Sequence, residues 1–464
     1  MENNNFNGSI PDSISNLANL NTLVLAYSML TGNLSESIGK LPNLLHLDLY
    51  SNNLTGAIPE SITNLANLNH LDLARNMLTG TVPGSISKLA NLTYFDLNHN
   101  TLTGTIPESI TTLATLNSLD LSYNVLSGTI PKSIGSLANL TKLNLAHNML
   151  GGTIPASIGN LPSLQYLQLS YNSINGTIPE SIAGLSRLTN IWVLHNNLSG
   201  SIPAAVSRLQ SLAILNLGYN SLTGSIPDAI STLTDIASLT IHDNNLSGPI
   251  PPGLGNLLKC ETLYLHGNNL TGPIPDSLMK LTALRSLTAS ENELTGSIPE
   301  TISNLRDLDT LSLHDNNLTG PIPSTIGLLT KLTLLDLANN SLTGSIPEFI
   351  NNLGQLSLLV LNGSGLTCPA DYSPCLATQQ QLQSIFCGQC SSFCSTCGKP
   401  APPPPPPPAK SATKSLGLSA AAAIAGIAVA PWIREEEPAA EGVEVENECD
   451  EAGCAVETAR AVAM

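Results

Sequence analysis

Asn52 stands in the segment Leu47-Asp48-Leu49-Tyr50-Ser51-Asn52-Asn53-Leu54-Thr55-Gly56, and a segment of this kind returns every 24 residues. The landmark series continues through Asn76, Asn100, Asn124, Asn148, Asn172, Asn196, Asn220, Asn244, Asn268, Asn292, Asn316 and Asn340. Ser28 and Asn4 extend it backwards, and Ser364 extends it forwards. Sixteen landmarks, 14 of them Asn, thus share one register with no insertion or deletion. Pro lies seven residues after each landmark except Ser28 and Ser364, and Gly lies four residues after all but Ser364, where Cys368 stands. A chain held to such a period folds as a stack of equivalent coils, each buried against its neighbours. With only 3% aromatic and 11% charged residues, it suits a thin, repeated core better than one wide core.

The chemistry of one coil follows from its residues. Leu47-Asp48-Leu49 alternates apolar and polar, the period of a half-buried strand, so Leu44, Leu47, Leu49 and Leu54 are expected inside. The landmark amide has two donors and an acceptor for backbone groups left unpaired where the chain bends. Thr-Gly permits a tight bend. Ile58-Pro59 fixes an extended segment on the far side, and a short helical or 3-10 piece, Ser61–Leu65, returns the chain. Roughly 15 strands about 4.8 Å apart would form one parallel sheet.

The pattern Leu-x-x-Leu-x-Leu-x-x-Asn-x-Leu-Thr-Gly-x-Ile-Pro resembles the plant-type leucine-rich repeat, over residues 1–367 in 14 near-complete copies. The resemblance implies an α/β right-handed solenoid with a parallel concave sheet, and Ile-Pro segments and short helical or 3-10 turns on the other side. That repeat class occurs in receptor-like proteins, receptor-like kinase ectodomains and polygalacturonase inhibitors. It therefore implies an extracellular or cell-surface recognition module with a protein, peptide or glycan ligand and no cofactor. The start at Met1-Glu2-Asn3-Asn4, already inside a repeat and without an apolar leader, departs from the family and is read as a truncated N-terminus.

Beyond the repeats the composition changes four times. Residues 368–398 carry Cys368, Cys375, Cys387, Cys390, Cys394 and Cys397. The first two resemble the disulfide of a C-terminal cap. The two Cys-x-x-Cys pairs read as disulfides, with a zinc site or unpaired thiols as the alternatives; only three residues separate the pairs, too few for the usual knuckles. Residues 399–415 form a linker with seven consecutive prolines, a stiff spacer. Residues 416–433 contain no charge and are a candidate weak transmembrane segment, an Ala-rich tail being the other reading. Residues 434–464 hold 10 acidic and two basic residues and read as a disordered tail.

Phosphate loops, His-Glu-x-x-His and nucleophile elbows are absent from the sequence, so no catalytic residue is assigned. A net charge of −17 with 17 basic residues argues against nucleic acid. Asp48, Asp72, Asp96 and Asp120 share one strand position. They read either as a polar, solubilising row or as a ladder for a cation or basic ligand. Thr81, Thr105, Thr129, Thr153 and Thr177 form a second row, which raises ice binding as an alternative; a structural surface-matrix role using the Pro-rich spacer is another. No residue is assigned as a metal ligand. Twelve Asn-x-Ser/Thr sequons suggest N-glycosylation on secretion.

Large polar rings concentrate where strands face outward, at six, four, two and one residues before the landmark. All eight His fall there, with eight of nine Tyr and Trp192. The expected ligand-binding residues are Tyr94, His99, Tyr123, His147, Tyr166, Gln168, Tyr171, Asn190, Trp192, His195, Asn216, Tyr219, His242, Tyr264 and His266. Tyr and Trp give rigid contact area at low entropic cost, which recognition needs and a purely structural stack does not. Tolerance of Tyr and His by strands is the plainer reading. The functions in play are a receptor-like recognition protein without a kinase, a secreted inhibitor of a cell-wall-degrading enzyme, and a structural or ice-binding protein.

Overall fold

The computed structural model describes residues 6–367 except 348, 349 and 351. The six cysteines from Cys368 to Cys397, the proline run, segment 416–433 and the acidic tail lie outside the described residues. Among the described residues, no helix is long and apolar enough to cross a membrane.

Fifteen three-residue strands, from Thr22–Val24 to Leu358–Val360, form one parallel sheet in chain order. Neighbouring strands are offset by one whole repeat: Leu47 pairs with Leu71, and Phe95 with Leu119. The uninterrupted 24-residue period dictates this register, because any slip would turn the Leu row out of the core. Segments following the landmark, such as Asn53–Ala57, form shorter parallel sheets on the next side of the coil. The return leg is 3-10 throughout, with no α-helix among the described residues. Glu60–Asn64 is typical: Pro59 precedes it in an extended conformation, and the Leu65 N–H donates to the Ile62 carbonyl. Five residues are too few for a stable α-helix, whereas the i, i+3 repeat of a 3-10 turn puts Ile62, Leu65 and Leu68 on one inward line. All three are buried.

The core is a column of aliphatic side chains one coil thick. Leu44, Leu47, Leu49 and Leu54 are fully buried as expected, and Phe95 fills a Leu position. Cys260 is buried too; its thiol lies 3.2 Å from the Thr262 carbonyl. Burial pushes its pKa up to about 12, so it stays a protonated, unreactive thiol at neutral pH.

The landmark amide ties each coil to the one before. Asn76 Oδ1 accepts the Leu54 N–H at 3.0 Å. Its Nδ2 donates to the Leu49 carbonyl of the preceding coil at 3.0 Å and to the Leu73 and Ala74 carbonyls of its own at 3.1 Å. The same set recurs at Asn100, Asn124 and onward. The residue before the landmark is forced into the left-handed region: 13 non-Gly residues there have φ between 48° and 54°. Four residues past the landmark, Gly104 has φ +77°, and a Cβ there would come within 2.8 Å of Thr81 Cγ2. The Thr row therefore has a packing role: each methyl fills the space left by the next coil's glycine.

Candidate ligand-binding face

The expected contact residues separate into two rows. Tyr94, Tyr166 and Asn190 open their strands, and Gln168, Trp192, Asn216 and Tyr264 close theirs. His99, Tyr123, His147, Tyr171, His195 and Tyr219 occupy the left-handed residue of the turn that follows, along the edge of the sheet. His242 and His266 sit one residue earlier in their turns.

The turn row is a continuous stack of alternating His and Tyr rings. Centroid spacings are 4.1 Å for His99–Tyr123, 4.1 Å for Tyr123–His147, 4.2 Å for His147–Tyr171, 4.6 Å for Tyr171–His195 and 4.1 Å for His195–Tyr219. Tyr219 then meets His242 edge-on, and His242 stacks on His266 at 4.5 Å. A shorter stack, His46–His70–Tyr94, runs along the first strand position with spacings of 3.9 and 4.3 Å. The alternation is legible in the sequence, where His and Tyr alternate every 24 residues from His99 to Tyr219.

Tyr123, Tyr171 and Tyr219 at a left-handed residue are costly, whereas His is met there more often. Asn or Gly would adopt that conformation with less strain, which for other residues is on the order of 1–3 kcal/mol. Ring stacking returns only about 0.5–1.5 kcal/mol per pair. Stacked faces also leave the ring edges, with their N–H, N and O–H groups, as the surface. Desolvation lowers the pKa of His99 and His195, and lowers that of His70 to about 4 with the help of His46. Desolvation likewise raises Tyr171 and Tyr219. The row thus presents alternating imidazole and phenol groups that can donate or accept hydrogen bonds.

The sheet row is a mixed surface. Register brings Tyr166 beside Asn190, and Gln168 beside Trp192 and then Asn216. Asn216 is buried and accepts the Gly218 N–H, so it shapes its own turn. Gln168 Oε1, Ser170 Oγ and Thr240 Oγ1 are buried without a hydrogen-bond partner, which is uncommon in a folded protein.

The carboxylate row lies deeper than a solubilising row would. Asp72, Asp96 and Asp120 are buried, and each Oδ1 accepts the backbone N–H two residues on. Asp48 does the same for Tyr50. Lys142 closes one end, 3.2 Å from Asp120. Desolvation, together with Asp120 and Asp72, holds the Asp96 carboxyl well above the usual range. Two features escaped the sequence. A shallow polar groove at the opposite strand edge is lined by Thr93, Thr115, Asn117, Thr141 and Arg187 among others. Asp243, in the left-handed position, lies between His242 and His266, with one donor atom of each residue within 4.8 Å of the other two.

Three family models match the chain: "Leucine-rich repeat region" over residues 76–202, "Leucine rich repeat" over 42–102 and 258–318, and "Leucine Rich Repeat" over 211–233, 236–257 and 331–353. No curated protein matches. Solved structures do. The plant peptide hormone receptor RGFR1, in complex with RGF2, is 35% identical, with 79% of this chain and 66% of that one covered and a TM-score of 0.68. The PEPR1–AtPEP1 structure is 32% identical over 78% of this chain and 57% of that one, with a TM-score of 0.64. A leucine-rich-repeat protein of Leptospira interrogans is 33% identical over 77% of this chain and 88% of that one, with a TM-score of 0.63. The chain spans from about half to two thirds of the length of the first three receptor ectodomains it matches.

Proposed function

The chain belongs to the leucine-rich-repeat family in its plant-type form, and on that premise we propose that it is a non-enzymatic, extracellular recognition protein that binds an extended peptide on its concave face. The His–Tyr stack from His99 to Tyr219 carries the reading. Its rings stack without interruption along the edge of the sheet, and their edges form a hydrogen-bonding line. Trp192, which pairs with Gln168 and Asn216 in the sheet, supplies an apolar anchor. Two of the similar receptors are complexes named with a peptide hormone or with AtPEP1, which supports the peptide class. The proposed role is receptor-like; the hydrogen-bonding row favours a peptide whose central residues are polar.

A random-peptide library displayed on phage and selected on the immobilised protein supplies the probe. Tyr171, Trp192 and Tyr219, each replaced by Ala in one triple variant, are expected to weaken a selected peptide about 100-fold or more, since central aromatic contacts cost about 2 kcal/mol or more each. Thr129, Thr153 and Thr177, replaced by Ala in the same way, are expected to leave affinity within about twofold. The reverse pattern, or failure to select any peptide, would falsify the proposal.

Secretion has a separate check. The asparagines of all twelve sequons, from Asn7 to Asn362, are exposed. Protein secreted from a eukaryotic cell is expected to lose mass on endoglycosidase treatment; an unchanged mass counts against extracellular residence.

A further inference from the structure

We propose that His242, Asp243 and His266 form a site for a divalent first-row transition ion, with Zn²⁺ as the best-matched chemistry. The donor set is two imidazole nitrogens and one carboxylate oxygen, which suits zinc and its neighbours in the series and suits Ca²⁺ or Mg²⁺ poorly.

Asp243 Oδ2 lies 3.2 Å from His242 Nδ1 and 3.6 Å from His266 Nε2. Ligand atoms about 2.0–2.2 Å from a tetrahedral zinc lie roughly 3.3–3.5 Å from each other, so these two separations need little adjustment, and the two imidazole donors lie within 4.8 Å of each other. His266 Nδ1 pairs with Thr288 Oγ1 at 2.8 Å. With Nδ1–H donating to that hydroxyl, the Nε2 lone pair faces Asp243, the arrangement that outer hydrogen bonds impose on metal-ligating histidines. His242 is 8% exposed, and its Nδ1 has no hydrogen-bond partner, because the contact to Asp243 is out of line. A buried imidazole nitrogen and a carboxylate thus converge, and a cation between them would satisfy both.

The surroundings are shaped to the cluster. The residue two before the landmark is Ala, Ser, Asn, Leu, His or Tyr in most coils but Gly at 218, where a Cβ would come within 2.4 Å of the His242 ring. The residue one before the landmark is Gly at 267, where a Cβ would come within 2.5 Å of Asp243 Oδ1. Two glycines in neighbouring coils therefore make room for two of the three ligands. Three protein ligands leave at least one coordination position for water or for a donor on a bound molecule.

The test uses the full chain and the metal alone. Isothermal titration with Zn²⁺ is expected to show a site that His266→Ser and Asp243→Asn each weaken about tenfold or more. Both variants have a fold precedent here: Ser290 occupies the turn position of His266, and Asn339 occupies that of Asp243 with φ 50°. Gly218→Ala, which displaces the His242 ring without removing a ligand, is expected to weaken it as well. The chain has nine cysteines, so Co²⁺ serves as a second probe. The site should give visible d–d absorption that disappears in His266→Ser, separate from any thiolate charge-transfer band. Zn²⁺ affinity and Co²⁺ absorption unchanged by His266→Ser and Asp243→Asn would overturn the proposal and assign the metal to cysteine. Absence of any Zn²⁺ binding at micromolar concentration would overturn it as well. Neither outcome bears on peptide binding at Tyr171, Trp192 and Tyr219.

Discussion

Asn100→Ala is expected to destabilise the solenoid by about 1–3 kcal/mol, as is the same change at the equivalent inner landmarks such as Asn76 and Asn124. The amide serves two coils. Its Oδ1 accepts the Leu78 N–H at 2.9 Å, and its Nδ2 donates to the Leu73 carbonyl at 3.0 Å and the Leu97 carbonyl at 3.1 Å. Ala leaves the buried Leu78 N–H without a partner, at about 1–3 kcal/mol, whereas the Leu73 and Leu97 carbonyls each keep a second donor, the amides of Asn76 and Asn124. The consequence extends beyond the site. Stability in a solenoid is a sum of coils and nearest-neighbour interfaces, so a weak interface between the Asn76 and Asn100 coils divides the stack. Urea unfolding should change from one transition towards two, with the coils before residue 100 melting first. Thr101→Ala, on the exposed residue next to it, is expected to cost under about 0.5 kcal/mol. A midpoint for Asn100→Ala within error of Thr101→Ala would show that the amide ladder contributes nothing net.

That prediction rests on something legible in the sequence. The recurrence of Asn every 24 residues signals one amide per coil meeting the same backbone groups, and Leu47 and Leu49 flanking Asp48 give the strand period directly. Both depend on contacts between equivalent positions, which a strict repeat makes visible. Three features were not legible for the converse reason. The left-handed φ at His99 or Tyr219 is imposed by the turn and by no residue preference, so these rings read as strand residues although they stand on the edge beyond it. Asp96 reads as a solvated residue on an outward position, yet Tyr94 on its own strand places a hydroxyl 3.1 Å from Oδ2, and the next carboxylates crowd it on both sides. The His242–Asp243–His266 cluster joins different positions of adjacent coils, and its assembly depends on room left by Gly218 and Gly267. Sequence comparison along a column sees like with like; diagonal contacts and burial by neighbours appear only when the coils are stacked.

Asp96→Asn is expected to raise stability at pH 7, by about 1–3 kcal/mol, and the gain should vanish in acid. Asp96 is 5% exposed and flanked by Asp72 and Asp120, so its carboxylate is desolvated and repelled. Its folded pKa therefore stands above the unfolded value. Below the unfolded pKa the group is protonated in both states and costs nothing. As pH rises from there through the folded pKa, the unfolded chain ionises first, and folding is penalised progressively; above the folded pKa the penalty is complete. The amide keeps the acceptor that the Asn98 N–H uses at 2.9 Å, and it carries no charge. The protein already contains this solution one step past the acidic row. Asn144 occupies the equivalent strand position, its Oδ1 accepts the Ala146 N–H at 3.1 Å, and its Nδ2 donates to Asp120 Oδ2 at 2.9 Å. An amide at 96 would donate in the same way to a neighbouring carboxylate, turning repulsion into a charge-assisted hydrogen bond. Guanidinium unfolding of both proteins at pH 7 and near pH 3 provides the check. A variant less stable than the parent at pH 7 would mean that the buried carboxylate is held by a partner stronger than the Tyr94 hydroxyl and the backbone N–H. An advantage that persists undiminished near pH 3 would mean that the gain is not electrostatic.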